Sequence, residues 1–387
     1  MTRVLELSAQ AAGGVRAHIR QVSQLLAKDG HQVLLAGPSN VIFPAPDAVS
    51  GACLRTYQID IGARPSGADL KALRQLKQLA ATVEVIHAHG LRAGALAVLA
   101  AKRLSAAKRP RVVVTLHNLP VGSAPTRLVG KALQLVVVKG ADYVLTVSPD
   151  LLEKAKQLGL EAGEIAVVPA PARGCMDCGC MDHAAQPEIS QDSAQSSDAG
   201  SGVDSGSGYG ASSDTDAAPC LLTIARLAPQ KGLDLLLEAA TLIKQRGIDF
   251  TWLVAGDGPL KAQLNQQIDD AALPVKLLGR REDIGALLSQ ADVVVQTSYW
   301  EGQPLTLREA MQAGRAIVAT DVGGSAYTLA GCGQLVEPQA GPLADAVVAV
   351  ISDPKRRETL EAASRAAVAK IPGETQLREQ LDRVLDL

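Results

Sequence analysis

Short apolar, often β-branched runs recur along the chain, separated by stretches with apolar residues every three or four positions. In the first half the runs are Val4–Leu7, Val33–Ala36, Val85–His87, Val112–Leu116, Tyr143–Val147 and Ile165–Val168. Their length and composition predict strands. The helical patterns between them are Gly14–Lys28, Ala68–Ala80, Arg92–Leu104 and Thr126–Lys139. The second half repeats the style with Cys220–Ile224, Thr251–Ala255, Val275–Leu278, Val293–Thr297 and Ala316–Thr320. Strands separated by helices predict parallel sheets covered on both faces, so the fold class is α/β with two Rossmann-like domains. Ligands of such sheets bind beyond the carboxyl ends of the strands.

Residues 184–219 break the pattern: Ser, Asp, Gly and Ala dominate and large apolar side chains are almost absent. Such a stretch cannot bury enough surface to offset its ordering entropy. The expected organisation is an N-terminal domain over 1–172, a flexible Cys-rich then Ser/Asp/Gly-rich insert over 173–219, and a C-terminal domain over 220–370. A last helix, 371–387, is expected to pack back on the first domain.

The chain has 387 residues, 47% hydrophobic and only 2% aromatic, so its cores must be built mainly from Ala, Val and Leu. The net charge of −2 hides a basic first domain, an acidic insert and a mildly acidic second domain, which suggests different partners for the two halves. No apolar run nears the roughly 20 residues needed to cross a bilayer. Met1–Ser8 turns polar too soon for a signal peptide. A cytoplasmic protein with reduced thiols is therefore expected, despite six Cys.

The candidate chemistry follows the strands. Gly13-Gly14-Val15 opens a helix after the first strand, where small residues let the backbone approach an anion. Neither G-x-G-x-x-G nor a P-loop occurs there, which argues against a dinucleotide dehydrogenase or a P-loop NTPase. Arg226 and Lys231 lie between a strand and a helix, placed to clamp a diphosphate; otherwise they are solvated loop cations. In Glu301-Gly302-Gln303-Pro304-Leu305-Thr306-Leu307-Arg308-Glu309, Gly302 permits a turn and Pro304 suits the first helical position. The amides of Leu305, Thr306 and Leu307 would face an anion, and Glu301 and Glu309 can accept hydrogen bonds from sugar hydroxyls; alternatively Glu301 caps the helix and Glu309 is solvated.

His87, His89 and His117 end two strands of the first domain. A metal site built from them is conceivable, but no carboxylate lies beside them in sequence. Cys175, Cys178, Cys180 and His183 have the ligand types for Zn²⁺, yet all come from nine residues, with no second element to close a site. The basic patch Lys102, Arg103, Lys108, Arg109 and Arg111 suits anionic lipid or a solvated helix end. Nucleic acid is not expected, because stacking aromatics are scarce.

Together these motifs resemble the family-4 retaining glycosyltransferases of the GT-B fold. The resemblance runs through Gly13-Gly14-Val15, His87-x-His89-Gly90, Thr115-Leu116-His117, Val147-Ser148, Arg226-x4-Lys231-Gly232, Ala255-Gly256-Asp257-Gly258-Pro259 and Glu301-Gly302-x-Pro304-Leu305-x3-Glu309. It implies transfer of a hexose from a nucleotide-diphosphate sugar to a glycan, lipid-linked or small-molecule acceptor. Arg226 and Lys231 would grip the diphosphate under the Gly13-Gly14 turn. Glu309 would bond the ribose, Glu301 the sugar, and His117 would lie near the anomeric carbon. Gly256 belongs to the donor site, and Leu278-Gly279-Arg280 would meet the base. The donor is substrate, and no cofactor is expected. No catalytic metal is expected either: the one Asp-x-Asp pair, Asp214-Thr215-Asp216, sits in the insert, where composition explains it. The acceptor domain implies a glycan or lipid-linked partner and peripheral contact with the inner, anionic membrane face. The competing readings are a nucleotide-sugar epimerase of the same fold and a non-catalytic nucleotide-sugar-binding relative. The chain departs from the family at Ala170-Pro171-Ala172, where Asn-Gly or a similar turn is usual.

Overall fold

The computed structural model of the chain describes residues 1–11, 13–42, 54–62, 66–118, 124–169 and 218–387. Ala170-Pro171-Ala172, Cys175, Cys178, Cys180, His183 and Asp214-Thr215-Asp216 lie outside the described residues, as does nearly all of the insert.

Seven parallel strands form the first sheet: β1 (Arg3–Ser8), β2 (Gln32–Gly37), β3 (Leu54–Gln58), β4 (Val85–His89), β5 (Arg111–Leu116), β6 (Tyr143–Thr146) and β7 (Gly163–Ile165). Their spatial order is β3-β2-β1-β4-β5-β6-β7. Parallel neighbours need crossover connections, which include α1 (Gly13–Lys28), α2 (Ala68–Ala80), α3 (Leu91–Ala101), α4 (Ala124–Val138) and α5 (Pro149–Gln157). The central strand β4 is buried end to end and β5 along all but its first residue, as largely apolar strands require once helices cover both faces.

The second sheet has the order β10-β9-β8-β11-β12-β13. Its strands are β8 (Cys220–Ile224), β9 (Thr251–Ala255), β10 (Val275–Gly279), β11 (Val293–Gln296), β12 (Ala316–Thr320) and β13 (Gln334–Val336). Around it lie α6 (Leu233–Gln245), α7 (Lys261–Asp270), α8 (Ile284–Gln290), α9 (Leu305–Gln312), α10 (Ser325–Leu329), α11 (Ala340–Ile351) and α12 (Pro354–Ala367). Trp252 is fully buried in this core, and its indole N–H donates to Thr223 Oγ1 at 3.0 Å. That bond removes the cost of burying a lone donor.

The final helix, α13 (Glu374–Leu385), returns to the first domain. Its buried Leu377, Leu381, Val384 and Leu385 join Val4, Val22, Val33 and Val113 in one cluster. Arg111 Nε donates to the Val384 carbonyl at 2.9 Å, which ties one member of the basic patch to this helix. Lys102, Arg103, Lys108 and Arg109 are exposed.

Some elements differ from the sequence expectation. The strands β3 and β13 are unforeseen, because Leu54-Arg55-Thr56-Tyr57-Gln58 is a largely polar edge strand and Gln334–Val336 is very short. The seventh strand is Gly163–Ile165 rather than Ile165–Val168, and α3 ends at Ala101 rather than Leu104. Pro304 is the cap of α9, in extended conformation, rather than its first helical residue.

Candidate active site

In each sheet the strand order reverses beside the first strand of the domain, between β1 and β4 and between β8 and β11. Chains leaving adjacent strands there diverge to opposite faces and open a crevice at the carboxyl ends. The residues after β1, β4, β8 and β11 are Gly13-Gly14, Gly90, Arg226 to Lys231, and Thr297 to Glu301.

In the second domain these loops are laced together. Thr297 Oγ1 donates to the Lys231 carbonyl at 2.9 Å, the Tyr299 amide to the Gln230 carbonyl at 2.9 Å, and Gln230 Nε2 to the Trp300 carbonyl at 2.9 Å. Gly232 permits this closeness: its φ is +59°, and a Cβ there would stand 2.0 Å from the Thr297 carbonyl oxygen. Lys231 Nζ lies 2.6 Å from Glu301 Oε1, which also accepts from Ser298 Oγ at 2.5 Å. Glu301 is buried, whereas Arg226 is exposed. One hollow is lined by Ala225, Lys231, Ser298, Glu301, Thr306 and Leu307. It brings the cation, the carboxylate and the start of α9 together.

At that helix start the Leu307 amide is already taken by the Pro304 carbonyl, at 3.2 Å. The expected trio of free amides is therefore a pair, Leu305 and Thr306, which remain the donors a helix N-terminus presents to an anion. Glu309, further along α9, is half-buried, and its carboxyl has no partner among the described residues. Burial pushes its pKa up to about 7.

The first domain closes over this edge. A Cβ on Gly14 would stand 3.5 Å from Leu305 Cδ1, in ordinary contact, so the Gly13-Gly14 turn faces the start of α9. Trp300 Nε1 donates to Asp150 Oδ2 at 3.0 Å, and Gln303 Nε2 to the Ala166 carbonyl at 2.7 Å. Ser148 Oγ holds the other Asp150 oxygen at 2.5 Å, which gives the Val147-Ser148 motif a bracing role. Gly302 packs against Val147, and the His117 carbonyl oxygen lies 3.7 Å from where a Gly302 Cβ would stand. His117 thus adjoins the Glu301-Gly302 loop.

At the carboxyl ends of β9 and β10 in the second domain, the Gly256 amide donates to the Gly279 carbonyl at 2.8 Å, joining two predicted donor-site segments. Leu278 beside it is half-buried and Arg280 is exposed.

Glu6 is the residue that sequence reasoning missed. It is fully buried on β1, between His87 Nδ1 at 3.0 Å and His89 Nε2 at 2.7 Å. No carboxylate lies beside these histidines in sequence; parallel pairing supplies one from a strand 81 positions away. Glu6, His87 and His89 place their ligand atoms within 4.8 Å of one another and are the group among the described residues that could hold a metal ion. The signal available was an acid between Leu5 and Leu7 in an otherwise apolar strand.

A family model described as "Glycosyl transferase 4-like domain" matches residues 13–171, and one described as "Glycosyl transferases group 1" matches residues 218–353. The chain is 29% identical to the phosphatidyl-myo-inositol mannosyltransferase of Mycobacterium tuberculosis, over 92% of this chain and 89% of that one. It is 33% identical to the alpha-D-kanosaminyltransferase of Streptomyces kanamyceticus over 38% of this chain, a match that spans only 39% of that relative's length. Among solved structures, Anabaena HepE in complex with UDP and glucose superposes with a TM-score of 0.68 at 19% identity, covering 100% of both chains. Sucrose-phosphate synthase from Thermosynechococcus elongatus gives 0.72 at 18% identity, covering 100% of this chain and 98% of that one. Both halves are matched in order, the two parallel sheets share the fold of these enzymes, and the chain belongs to the group 1 glycosyltransferases of family-4 type, with the GT-B architecture.

Proposed function

We propose that this chain transfers a hexose from a nucleoside-diphosphate sugar to a glycan or lipid-linked acceptor, with retention of configuration and without a divalent cation. The observation that carries the reading is the convergence of Lys231, Glu301 and the free amides of α9 in one hollow, opposite the Gly13-Gly14 turn of the other domain. Cleaving the sugar–phosphate bond leaves extra negative charge on the departing diphosphate. Lys231, Arg226 and the helix N-terminus would stabilise that charge where it develops. Glu309, unpaired and half-buried, is suited to accept from ribose hydroxyls. Glu301, which the Gln230 and Trp300 contacts fix in place, would accept from hydroxyls of the sugar. The names of the relatives, a mannosyltransferase and a kanosaminyltransferase among them, support a hexose-type donor.

The acceptor side is supported by position. The helix α4 turns large apolar side chains outward, Leu128, Val129 and Leu135, with exposed Lys131 between them. An apolar and basic surface of this kind suits a membrane-carried acceptor. No helix among the described residues is long and apolar enough to cross a membrane.

The test is incubation with a panel of nucleotide sugars and mixed acceptors, followed by product mass and the anomeric configuration by NMR. A glycosylated acceptor with the donor's configuration supports the reading. Donor isomerised without acceptor would favour the epimerase, and tight donor binding with no turnover would favour the non-catalytic relative.

A further inference from the structure

Five buried side chains, four on three adjacent strands and His117 just after the third, form one hydrogen-bonded line at the ligand edge of the first domain. Thr115 Oγ1 lies 2.8 Å from His87 Nε2, and His87 Nδ1 lies 3.0 Å from Glu6 Oε1. The other Glu6 oxygen, Oε2, lies 2.7 Å from His89 Nε2, and His89 Nδ1 lies 3.2 Å from His117 Nε2. Sheet register creates the line by setting Glu6 beside His87 and His89 beside Thr115. None of the five is more than 7% exposed, and the most exposed is His117, at the cleft end.

The protons follow from the acceptor in the middle. Two ring nitrogens lie within 3.0 Å of the Glu6 carboxyl, one on each oxygen, and their hydrogen bonds favour its ionised form against the opposing effect of burial. An ionised carboxylate only accepts, so each histidine must point an N–H at it. Burial favours the neutral form of the His89 ring, and a neutral ring carries one proton. With that proton on Nε2, facing Glu6, Nδ1 is a bare acceptor and must take its hydrogen bond from His117 Nε2–H. His117 is neutral too: burial, the largest influence on it, holds its pKa well below the usual range. Its Nδ1 therefore keeps a lone pair. The other groups facing the line are His18 on α1, which burial lowers to about 3, and Arg308 on α9, whose charge reaches His18.

We propose that Glu6 is a positioning residue of the transferase: through His89 it fixes His117 in the Nε2–H tautomer, so that Nδ1 accepts a hydrogen bond from a hydroxyl of the transferred sugar. This rests on the reading of His117 as the residue beside the sugar. A tautomer set from behind costs no reorganisation when the sugar binds, which is how a buried line of this kind serves catalysis. Glutamine at position 6 would donate through its amide on one side. Where it donates to His89 Nε2, the His89 proton moves to Nδ1, and His117 then presents a donor to the sugar instead of an acceptor.

The test is NMR of the protein labelled with ¹⁵N-histidine, alongside steady-state kinetics of wild type, Glu6→Gln and His117→Ala. In wild type the ring nitrogens of His89 and His117 should report protonation on Nε2 alone between about pH 6 and 8. In Glu6→Gln the His117 tautomer should become mixed or reversed. Its kcat should fall about tenfold or more, while donor KM and nucleoside diphosphate affinity change by less than about twofold. A wild-type His117 protonated on Nδ1 overturns the proposal without any variant, so a Glu6→Gln protein that fails to fold does not shelter it. Full turnover in His117→Ala overturns the reading of His117, and the proposal with it. Lost turnover in His117→Ala beside undiminished turnover in Glu6→Gln overturns the role of Glu6 alone.

Discussion

Lys231 Nζ stands 2.6 Å from Glu301 Oε1, so the cation proposed to grip the diphosphate is paired with the carboxylate proposed to bond the sugar. Both side chains are largely shielded from solvent, which makes the pair stronger than a surface ion pair. A diphosphate entering the hollow would compete with Glu301 for Lys231. The ion pair would thereby link donor arrival to release of Glu301.

The two partners should then respond differently to substitution. Lys231→Ala removes a charge-assisted contact and should weaken UDP and GDP by about 1.5–3 kcal/mol, roughly ten- to a hundredfold. Glu301→Gln frees Lys231, so bare-nucleotide affinity should hold or rise while donor turnover drops strongly. Calorimetric titration of both variants with UDP and GDP checks this. An equal loss of affinity in both would sink the division of labour.

Glu309 yields a pH dependence with a definite sign. Its pKa is raised from 4.5 to about 7 by burial, so the folded chain holds that proton more tightly than the unfolded chain does. The resulting stabilisation is present below the ordinary value and is lost as pH climbs through about 7. Glu309→Gln should therefore raise the melting temperature of the ligand-free protein at alkaline pH and leave it nearly unchanged in acid. The gain should be about 1 kcal/mol, kept small because the carboxyl is partly solvated. Nucleotide binding should move the other way: wild-type affinity should weaken as acid protonates Glu309, and the variant should bind weakly with a flat profile. Melting curves and titrations across pH decide it, and an equally sloped profile in the variant would count against Glu309.

The return of α13 to the first domain makes the C-terminus part of the N-terminal core. Leu381 is 2% exposed among Val4, Val33 and Val113. Leu381→Ala should cost about 2–5 kcal/mol, the range for truncating a buried leucine. Thermal unfolding should show the loss in the first domain, with the UDP affinity proposed for the second domain preserved. An unchanged melting temperature would mean that α13 contributes little to that core.

These relationships were unequally legible in the sequence. Arg226, Lys231, Glu301 and Glu309 can be found there because each follows a strand within one short loop or helix, where the chemistry is local. The contact of Trp300 with Asp150 joins residues 150 positions apart, and only the meeting of the two domains creates it. Glu6 is hidden for a related reason. Its neighbours in sequence are apolar, and its partners come from another strand through a register that no local pattern specifies. Edge strands such as Leu54–Gln58 are hard to read because one long side lacks a partner and the residues need not be apolar.

Chelation of divalent metal should leave catalysis intact. On the proposed reading, the charge that develops on the departing diphosphate would meet Lys231, Arg226 and the amides of Leu305 and Thr306, so a cation there would duplicate what the chain supplies. Among the described residues the group fit to hold a metal is Glu6, His87 and His89. Each of these is at most 2% exposed, and the carboxylate already accepts from both rings. A metal seated there would touch the back of the histidine line rather than the phosphates. Donor turnover should therefore be the same with and without excess EDTA, and added Mg²⁺ or Mn²⁺ should not raise it. Turnover that disappears in EDTA and returns with either ion would place a cation on the diphosphate. Lys231 and Arg226 would then be its assistants rather than its substitutes.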